Sequence, residues 1–483
     1  MLFNSVDFAI FLPIVFILYW FITNKNLKLQ NVLIIIASYF FYGWWDWRFL
    51  LLILFNTVVD YTIGIGIALS KNNYRRKALF CTSILVNLGL LCFFKYFNFF
   101  QESLIEAFSF FGRNISPASL NIILPVGISF YTFQTLSYII DVYRKKIEPA
   151  RDFTEYAAFV SFFPQIVAGP IERASNLLHQ FHKRRVFDYD KAVDGLRQIL
   201  WGLFKKIIVA DNCAKVVDLI FNNFYDYSGS SLFLGAMFFT FQIYCDFSGY
   251  SDIAIGTARL FGFNLMRNFA FPYFSRDIAE FWRRWHISLT TWFRDYVYIP
   301  LGGSHVRTWI KIRNIFVVFM LSGIWHGANW TFVAWGTLNA IYFLPLALTN
   351  RNRKNIDIVA QGAYLPSIKE AFSILLTFFL VVISWVFFRS DSIAHAFQYL
   401  SVIFSKSLFD IPNFEGRLAA LIYTSFIIFF LIIEWFGREQ QYAIQKMFGK
   451  QPRIMRWGFY SFLIFLIGMY SQTDETPFIY FKF

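Results

Sequence analysis

About ten apolar runs constrain this chain more than any other feature of its sequence, because each is long enough to cross a lipid bilayer or nearly so. Hydrophobic residues make up 57% of the 483 positions and include 65 phenylalanines, which is far from the composition of a soluble domain. We therefore predict an all-α polytopic membrane protein in which residues 1–483 form a single integral membrane domain. The predicted full crossings lie near 8–22, 30–45, 49–69, 78–97, 120–141, 196–221, 232–262, 370–388, 417–436 and 456–471.

The formal net charge of +14 is carried by Lys and Arg residues that cluster in the connections between the apolar runs. Cytoplasmic loops of membrane proteins collect such residues. Alternation of the loops then predicts that the N- and C-termini are extracytoplasmic. Since membrane topology accounts for the positive charge, we expect no nucleic-acid partner. The partner expected for the apolar helix surfaces is the lipid bilayer.

Two apolar segments are flanked on both sides by basic loops, and we predict that each enters the membrane and returns. The first runs from Tyr156 to Pro170, and the second joins residues 314–325 to residues 327–349 with His326 near its apex. Backbone that turns back at membrane depth is tolerated only where protein or enclosed water satisfies its polar groups. Both segments are therefore expected to line an interior space around a central tunnel.

His326 is the most informative single residue, because hydrocarbon solvates neither the N–H group nor the charge of an imidazole. Gly323 and Gly327 flank it, and glycines permit the close approach of another backbone or of a substrate. We interpret His326 as the centre of a buried reaction site, with a satisfied structural histidine as the alternative. The neighbours expected to shape that site are Trp325, Asn329 and Trp330.

Apolar residues recur at three- and four-residue steps between Asp277 and Tyr296, which predicts one amphipathic helix at the cytoplasmic membrane interface. His286 lies at the border between its apolar and charged faces. Arginines on the charged face could pair with the phosphates of an anionic donor, and they are Arg283, Arg284 and Arg294. The alternative is a membrane-surface anchor whose arginines contact lipid headgroups.

Asp246 and Asp252 lie in the apolar run 232–262, where an unpaired carboxylate would cost several kcal/mol. One interpretation is that they pair with nearby arginines or hydroxyls and only fix helix packing. The interpretation that we prefer makes them groups that orient the residues of the reaction site.

Five segments together resemble the membrane-bound O-acyltransferase superfamily, in particular its bacterial branch for alginate O-acetylation and for D-alanyl transfer to teichoic acids. They are Leu124 to Gln134, Phe162 to Ile171, Asp246 to Gly256, Phe281 to Leu301, and Trp325-His326-Gly327. The terminal segment Pro477 to Phe483 is also similar to the ending of the alginate branch, except that Lys482 stands where a glutamine is expected.

The resemblance implies an enzyme of the bacterial cytoplasmic membrane that transfers an acyl group, expected to be acetyl, across the bilayer. The donor would be a cytoplasmic thioester, either acetyl coenzyme A or an acyl carrier protein, and the modified product an extracytoplasmic polysaccharide such as alginate. The implied partner is an extracytoplasmic acetyltransferase or another polysaccharide-modification protein. His326 matches the family histidine, and His286 matches the second family position. We expect no bound cofactor and no metal site.

In this mechanism a neutral His326 acts as general base on the acceptor hydroxyl. His286 positions the donor thioester or polarises its carbonyl. A transporter or flippase is the first alternative, and it would favour similarly interrupted segments in the two halves of the chain. We find no such internal symmetry in the sequence. A non-catalytic scaffold for an extracytoplasmic acetyltransferase is the second alternative, and it would tolerate loss of both histidines.

Overall fold

A computed structural model of the protein describes residues 1–112, 120, 122–167, 169–447, 451–471 and 478–479. Every regular segment in these ranges is helical, which confirms the predicted all-α class. The chain divides into two compact units, Met1–Val193 with Thr257–Met266 and Asp194–Gly256 with Arg267–Phe483. That residues 1–483 form a single domain stays a prediction. The expectation about Lys482 lies outside the described residues.

The first half of the chain contains short connections between long apolar helices. The helices up to residue 182 are α1 (Val6–Ile17), α2 (Leu27–Asp46), α3 (Leu50–Leu69), α4 (Asn73–Leu91), α5 (Phe97–Phe110), α6 (Ile128–Tyr143), α7 (Phe153–Ser161), α8 (Phe163–Ile166) and α9 (Ala174–His182). π-helical turns Leu18–Ile22 and Cys92–Tyr96 and a 3₁₀ turn, Trp47–Phe49, join some of them.

The rest of the chain contains the longest helix and the segments that carry both histidines of interest. Its helices are α10 (Tyr189–Leu203), α11 (Asp211–Asn222), α12 (Gly229–Leu260), α13 (Ile278–Arg284), α14 (Ile287–Phe293), α15 (Thr308–His326), α16 (Trp330–Leu348), α17 (Ile368–Arg389), α18 (Ile393–Ile403), α19 (Arg417–Gly437) and α20 (Arg453–Tyr470). Between them lie π-helical turns Phe204–Ala210 and Arg294–Tyr298 and 3₁₀ turns Phe224–Asp226, Pro272–Phe274 and Lys406–Phe409.

Seven helical stretches of the described chain are long and apolar enough to cross a membrane. Two of them, Leu27–Leu69 and Asn73–Phe110, each contain more than one helix, and the apolar helix Val6–Ile22 is shorter. The protein is therefore a multi-pass membrane protein, as its apolar runs predict. The run predicted near 120–141 becomes a helix only at Ile128, because Gly127 adopts a left-handed backbone with φ of 72° before it.

The predicted re-entrant segment of the first unit consists of the short helices α7 and α8, which meet at Phe162. Protein groups satisfy its backbone, as the prediction requires. The Gln134 side chain donates a hydrogen bond to the Phe159 carbonyl at 2.9 Å, and the Phe163 N–H donates to the Ser38 hydroxyl at 3.0 Å. This segment is thus stabilised by polar side chains of α2 and α6.

Candidate functional site

His326 is the last residue of α15, and only 2% of its surface is exposed. Aromatic side chains surround its ring, whose centroid lies 5.0 Å from that of Trp325, 5.1 Å from that of Trp335 and 5.3 Å from that of Phe388. The structure therefore confirms that His326 is buried at the apex of a helix hairpin, in which α15 packs along α16.

The two glycines that flank His326 serve this hairpin. A Cβ atom on Gly323 would overlap the backbone carbonyl of Phe332, and one on Gly327 would overlap the ring of the same residue. Side chains at either position would push α16 away from α15. The close approach predicted at these glycines is therefore made by the chain's own next helix.

The prediction of one continuous amphipathic helix between Asp277 and Tyr296 is wrong. The segment forms two seven-residue helices, α13 and α14, and His286 between them has a left-handed backbone with φ of 43°. The backbone at the break pairs with a preceding loop, since the Ile287 N–H donates to the Asn268 carbonyl at 2.8 Å and the Ala270 N–H donates to the Arg284 carbonyl at 2.9 Å. This pairing replaces the helical hydrogen bonds and turns the imidazole inward.

The His286 side chain is 1% exposed and its Nδ1 atom lies 2.9 Å from Asn268 Oδ1. Its ring centroid is 4.6 Å from that of Phe247 and 5.8 Å from that of Trp325. Burial lowers the pKa of His286 to about 3, because a charged imidazole would be poorly solvated there. His286 is therefore neutral at any physiological pH.

The two histidines predicted to share a site do lie together. Their ring centroids are 6.5 Å apart, although 40 positions separate them in the sequence. Trp325 contacts both rings. A group of a few atoms between the imidazoles could contact both of them at once.

Asp246 and Asp252 on α12 are paired with two adjacent lysines of the π-helical turn Phe204–Ala210. The Lys206 ammonium lies 2.7 Å from Asp246, and the Lys205 ammonium lies 2.5 Å from Asp252. Such pairing compensates buried carboxylates and fixes helix packing. A link from this region to the site runs through Asn268, whose amide donates to Ser251 Oγ at 3.1 Å. That the two carboxylates orient the site stays a prediction.

The three arginines predicted to bind phosphates make other contacts. Arg283 donates to the backbone carbonyls of Asn352 and Asn355, each at 2.6 Å. Arg284 pairs with Glu280 at 2.7 Å, and Arg294 with Asp295 at 2.7 Å. Arg284 also donates to the Asp357 carbonyl at 2.8 Å, so Arg283 and Arg284 both hold a loop of the second unit. The side chain of Arg294, at 58% exposed, is the most accessible of the three.

Asn329 and Trp330 lie at the start of α16. Asn329 caps that helix by accepting a hydrogen bond from the Thr331 N–H at 2.9 Å, and its amide donates to the Asp391 carbonyl at 3.0 Å. Trp330 is 53% exposed. Of the residues expected to shape the apex, Trp325 therefore contacts the histidines, whereas Asn329 contributes to a cavity beside them.

Two cavities adjoin the histidines within the second unit. The larger has a volume of about 360 Å³, and Phe388, which contacts His326, is part of its wall. Its polar lining comprises Asp218, Gln242 of α12, Asn329, Thr331, Arg389, Ser390 and Asp391. The smaller, of about 20 Å³, has room for one water molecule. Its polar lining includes Lys205, Tyr244, Ser248, Ser251, Asp252, Arg267, Asn268 and Glu434.

Sequence reasoning missed several residues of the site. Trp335 and Phe388 contact the His326 ring, but as apolar residues of predicted helices they carry no separate signal. Asn268 is one of several polar residues in a loop, so it too carries no separate signal. Lys205 and Lys206 could have been found, because two adjacent lysines inside the predicted span 196–221 need carboxylate partners at membrane depth.

The chain matches the model of the membrane-bound O-acyltransferase family over residues 146–388. It is 39% identical over 453 residues to the probable alginate O-acetylase AlgI of Pseudomonas aeruginosa, a match that covers 93% of this chain and 84% of that protein. The peptidoglycan O-acetyltransferase of Helicobacter pylori is 33% identical, with coverage of 83% and 79%. The teichoic acid D-alanyltransferase of Streptococcus thermophilus is 30% identical, with coverage of 54% and 68%.

These matches include both histidine-bearing segments, since His286 and His326 fall within the residues that the family model covers. A match over half of the chain, together with relatives aligned over most of it, decides the family and confirms the predicted class of enzyme. The chain belongs to the membrane-bound O-acyltransferase family and is a membrane O-acyltransferase.

Proposed function

We propose that this enzyme transfers an acetyl group from a cytoplasmic thioester to an extracytoplasmic hydroxyl, in the pathway that O-acetylates alginate, and that it lies in the bacterial cytoplasmic membrane with both termini outside. Relatives named as probable alginate O-acetylases, with matches over 93% and 91% of the chain, support this substrate. The observation that carries the proposal is the buried histidine pair, 6.5 Å apart, whose neighbours Phe388 and Asn268 line two cavities of the same unit.

The two cavities lie along one helix, α12. Gln242 lines the larger cavity, and the residues of the same helix that line the smaller one are Tyr244, Ser248, Ser251, Asp252 and Ile255. His326 contacts Phe388 of the larger cavity, and His286 contacts Asn268 of the smaller one. The larger cavity would admit a substrate to the histidines, whereas the smaller one has room for one water molecule.

His326 would act as general base. As the acceptor oxygen attacks the thioester carbonyl, its proton moves to His326, the new ester C–O bond forms and the C–S bond breaks. The proton then passes to the departing thiolate, so that the imidazole is regenerated. General-base catalysis of this kind contributes roughly 10²–10⁴-fold to the rate. The aromatic wall of Trp325, Trp335 and Phe388 would keep water away from the thioester.

The charge of the larger cavity favours a protein partner as the direct acceptor. Two carboxylates, Asp218 and Asp391, line it together with one guanidinium, Arg389, which already donates to Asp218 at 3.0 Å. Alginate carries a carboxylate on each sugar, and a surplus of like charge repels such a chain. We therefore propose that the acetyl group leaves through an extracytoplasmic acetyltransferase or another polysaccharide-modification protein.

The donor is proposed to be acetyl coenzyme A or an acetylated acyl carrier protein. Arg294 is the best placed of the predicted phosphate-binding residues to meet either donor, because its side chain is 58% exposed. A transporter or a non-catalytic scaffold is not favoured, since the family and the relatives are named for group transfer.

The proposal is tested by measuring ester-linked acetyl on alginate from producing cells that lack the gene and are complemented with wild type or with His326→Ala. We expect acetyl to be absent in the deletion strain and in His326→Ala, and present with wild type. His305→Ala is the matched control, because His305 is exposed. Full acetylation by His326→Ala at equal membrane levels would instead indicate a scaffold or conduit.

A further inference from the structure

Asn268 is a completely buried side chain that contacts His286 and two serines. Its Oδ1 atom lies 2.9 Å from His286 Nδ1 and accepts a hydrogen bond from Ser288 Oγ at 2.9 Å. Its Nδ2 atom donates to Ser251 Oγ at 3.1 Å. Asn268 therefore connects α12 to the histidine through a chain of directed hydrogen bonds.

The orientation of the Asn268 amide follows from its neighbours. The backbone N–H of Ser288 points at the atom that faces His286, at 3.4 Å. A backbone N–H can only donate, so this atom must be the amide oxygen and not the nitrogen. An oxygen in this position accepts hydrogen bonds, and His286 Nδ1 must therefore carry the proton.

A neutral imidazole has one N–H and one lone pair, so a proton on Nδ1 leaves the lone pair on Nε2. The surroundings of the ring keep it neutral. Besides Asn268 and Ser288, the ring neighbours of His286 include Phe247, Phe269, Trp325 and His326, and of these four only His326 carries a titratable group.

We propose that Asn268 is a positioning residue that holds His286 as a hydrogen-bond acceptor at Nε2. The role of His286 in acyl transfer rests on the proposed function, whereas the tautomer does not. The backbone of Asn268 also contacts this region, because the hydrogen bond from the Ile287 N–H to the Asn268 carbonyl holds the left-handed conformation of His286. One residue thus fixes both the backbone and the ring.

This assignment narrows the two roles considered for His286. A neutral ring with its lone pair on Nε2 has no proton there to donate to a thioester carbonyl, so it does not polarise that group. It binds a substrate N–H or O–H instead. Two sources have this chemistry: the amide N–H groups of the pantetheine arm, which both proposed donors share, and the acceptor hydroxyl.

The tautomer is tested directly by ¹⁵N solid-state NMR of the full-length protein in lipid bilayers with labelled histidine. Subtracting the spectrum of His286→Gln identifies the His286 signals. We expect a protonated Nδ1 and an unprotonated Nε2 at pH 7. A proton on Nε2 would overturn the proposal. Because this measurement needs no turnover, it gives an answer even where the proposed transfer of acetyl fails.

The positioning role is tested by the pH dependence of acetyl transfer in Asn268→Asp. A carboxylate facing Nδ1 favours the charged ring, which has no lone pair on Nε2, so we expect activity to fall as the pH drops from 7 to 5. Wild type should lack that additional acidic limb. Asn314→Asp is the matched control, since Asn314 is also buried and donates to the Leu301 carbonyl. Superimposable profiles for wild type and Asn268→Asp would overturn the proposal.

Asn268→Ala separates the two sources of the bound hydrogen. Loss of one hydrogen bond that orients the ring should reduce kcat/KM by about tenfold. If Nε2 binds the pantetheine amide, the loss appears as a higher KM for the donor. If Nε2 binds the acceptor hydroxyl, it appears as a lower kcat with an unchanged donor KM. Wild-type values for both constants, in a variant with an unchanged melting temperature, would contradict the role.

Discussion

Both units bury polar side chains among apolar helices, and they satisfy them in different ways. In the first unit the Asp60 carboxylate of α3 accepts hydrogen bonds from Ser83 at 2.6 Å and from Asn87 at 2.9 Å, both on α4. Thr135 of α6 donates to Asn87 at 2.9 Å and completes a closed network. In the second unit the two histidines lie near a cavity of about 360 Å³ that a substrate could enter and near a second cavity with room for one water molecule.

This difference teaches that a polar group at membrane depth does not by itself mark a reaction site. Asp60 is as buried as His326, but its neighbours are neutral donors that use up its oxygen atoms in joining three helices. What distinguishes the histidine pair is an adjoining cavity together with nitrogen atoms that can exchange protons. We expect changes in the first network to reduce stability, and changes at the histidines to reduce turnover.

The largest effect on stability is expected from Lys206→Met. Lys206 lies between Asp211 at 2.8 Å and Asp246 at 2.7 Å, all of them buried. Removing one partner of a buried ion pair leaves uncompensated charge and costs about 3–5 kcal/mol. The melting temperature in detergent measures the loss. Lys215→Met is the control, because Lys215 is exposed on neighbouring α11; equal melting temperatures for both variants would contradict the ion-pair account.

Asp60→Ala should destabilise the protein by about 2 kcal/mol, because the buried donors Ser83 and Asn87 lose their acceptor. The acetyl-transfer rate per folded molecule should stay at the wild-type value. Thermal unfolding and the rate, measured on the same preparation, separate the two quantities. A variant that folds as well as wild type but has lost its activity would remove the contrast between the two units.

Stability should also depend on pH through His286. Its pKa of about 3 in the folded protein lies below its usual value of 6.5, so the unfolded chain binds a proton that the folded chain does not. The free energy of unfolding therefore keeps its full value with respect to His286 above pH 6.5. Between pH 6.5 and pH 3 it falls by up to about 1.4 kcal/mol per pH unit. We therefore expect the melting temperature to fall less between pH 6.5 and 5 in His286→Gln than in wild type. If the melting temperatures of His286→Gln and wild type fall equally with pH, another group is responsible for the pH dependence of stability.

The smallest effect is expected from Asn329→Ala. Asn329 caps α16 through its hydrogen bond from the Thr331 N–H, and loss of a helix cap costs about 1 kcal/mol. Because Asn329 is not part of the aromatic wall around His326, we expect the turnover rate to stay close to that of wild type. Melting temperature and rate again measure the two effects, and a rate loss as large as that of His326→Ala would assign Asn329 a chemical role.

The sequence predicts the α15–α16 hairpin and its histidine because local features decide them. Apolar residues form the two helices, and the basic residues on both sides require the chain to return. The contacts of Arg283 and Arg284 could not be predicted in this way, since they depend on which distant loop folds back against α13. The break of the helix at His286 could not be predicted for the same reason. The side-chain pattern indicates a continuous helix, but hydrogen bonds with the backbone of residues 268–270 replace the helical ones.

The central claim is that acyl transfer takes place at the histidine pair of the second unit. The most direct test is the rate at which purified enzyme in proteoliposomes transfers labelled acetyl from acetyl coenzyme A to the hydroxyl of an added acceptor, with His326→Ala compared with wild type. A decrease of about 10²–10⁴-fold with an unchanged melting temperature is the predicted result, with His305→Ala as active as wild type. A rate for His326→Ala close to that of wild type would contradict the claim.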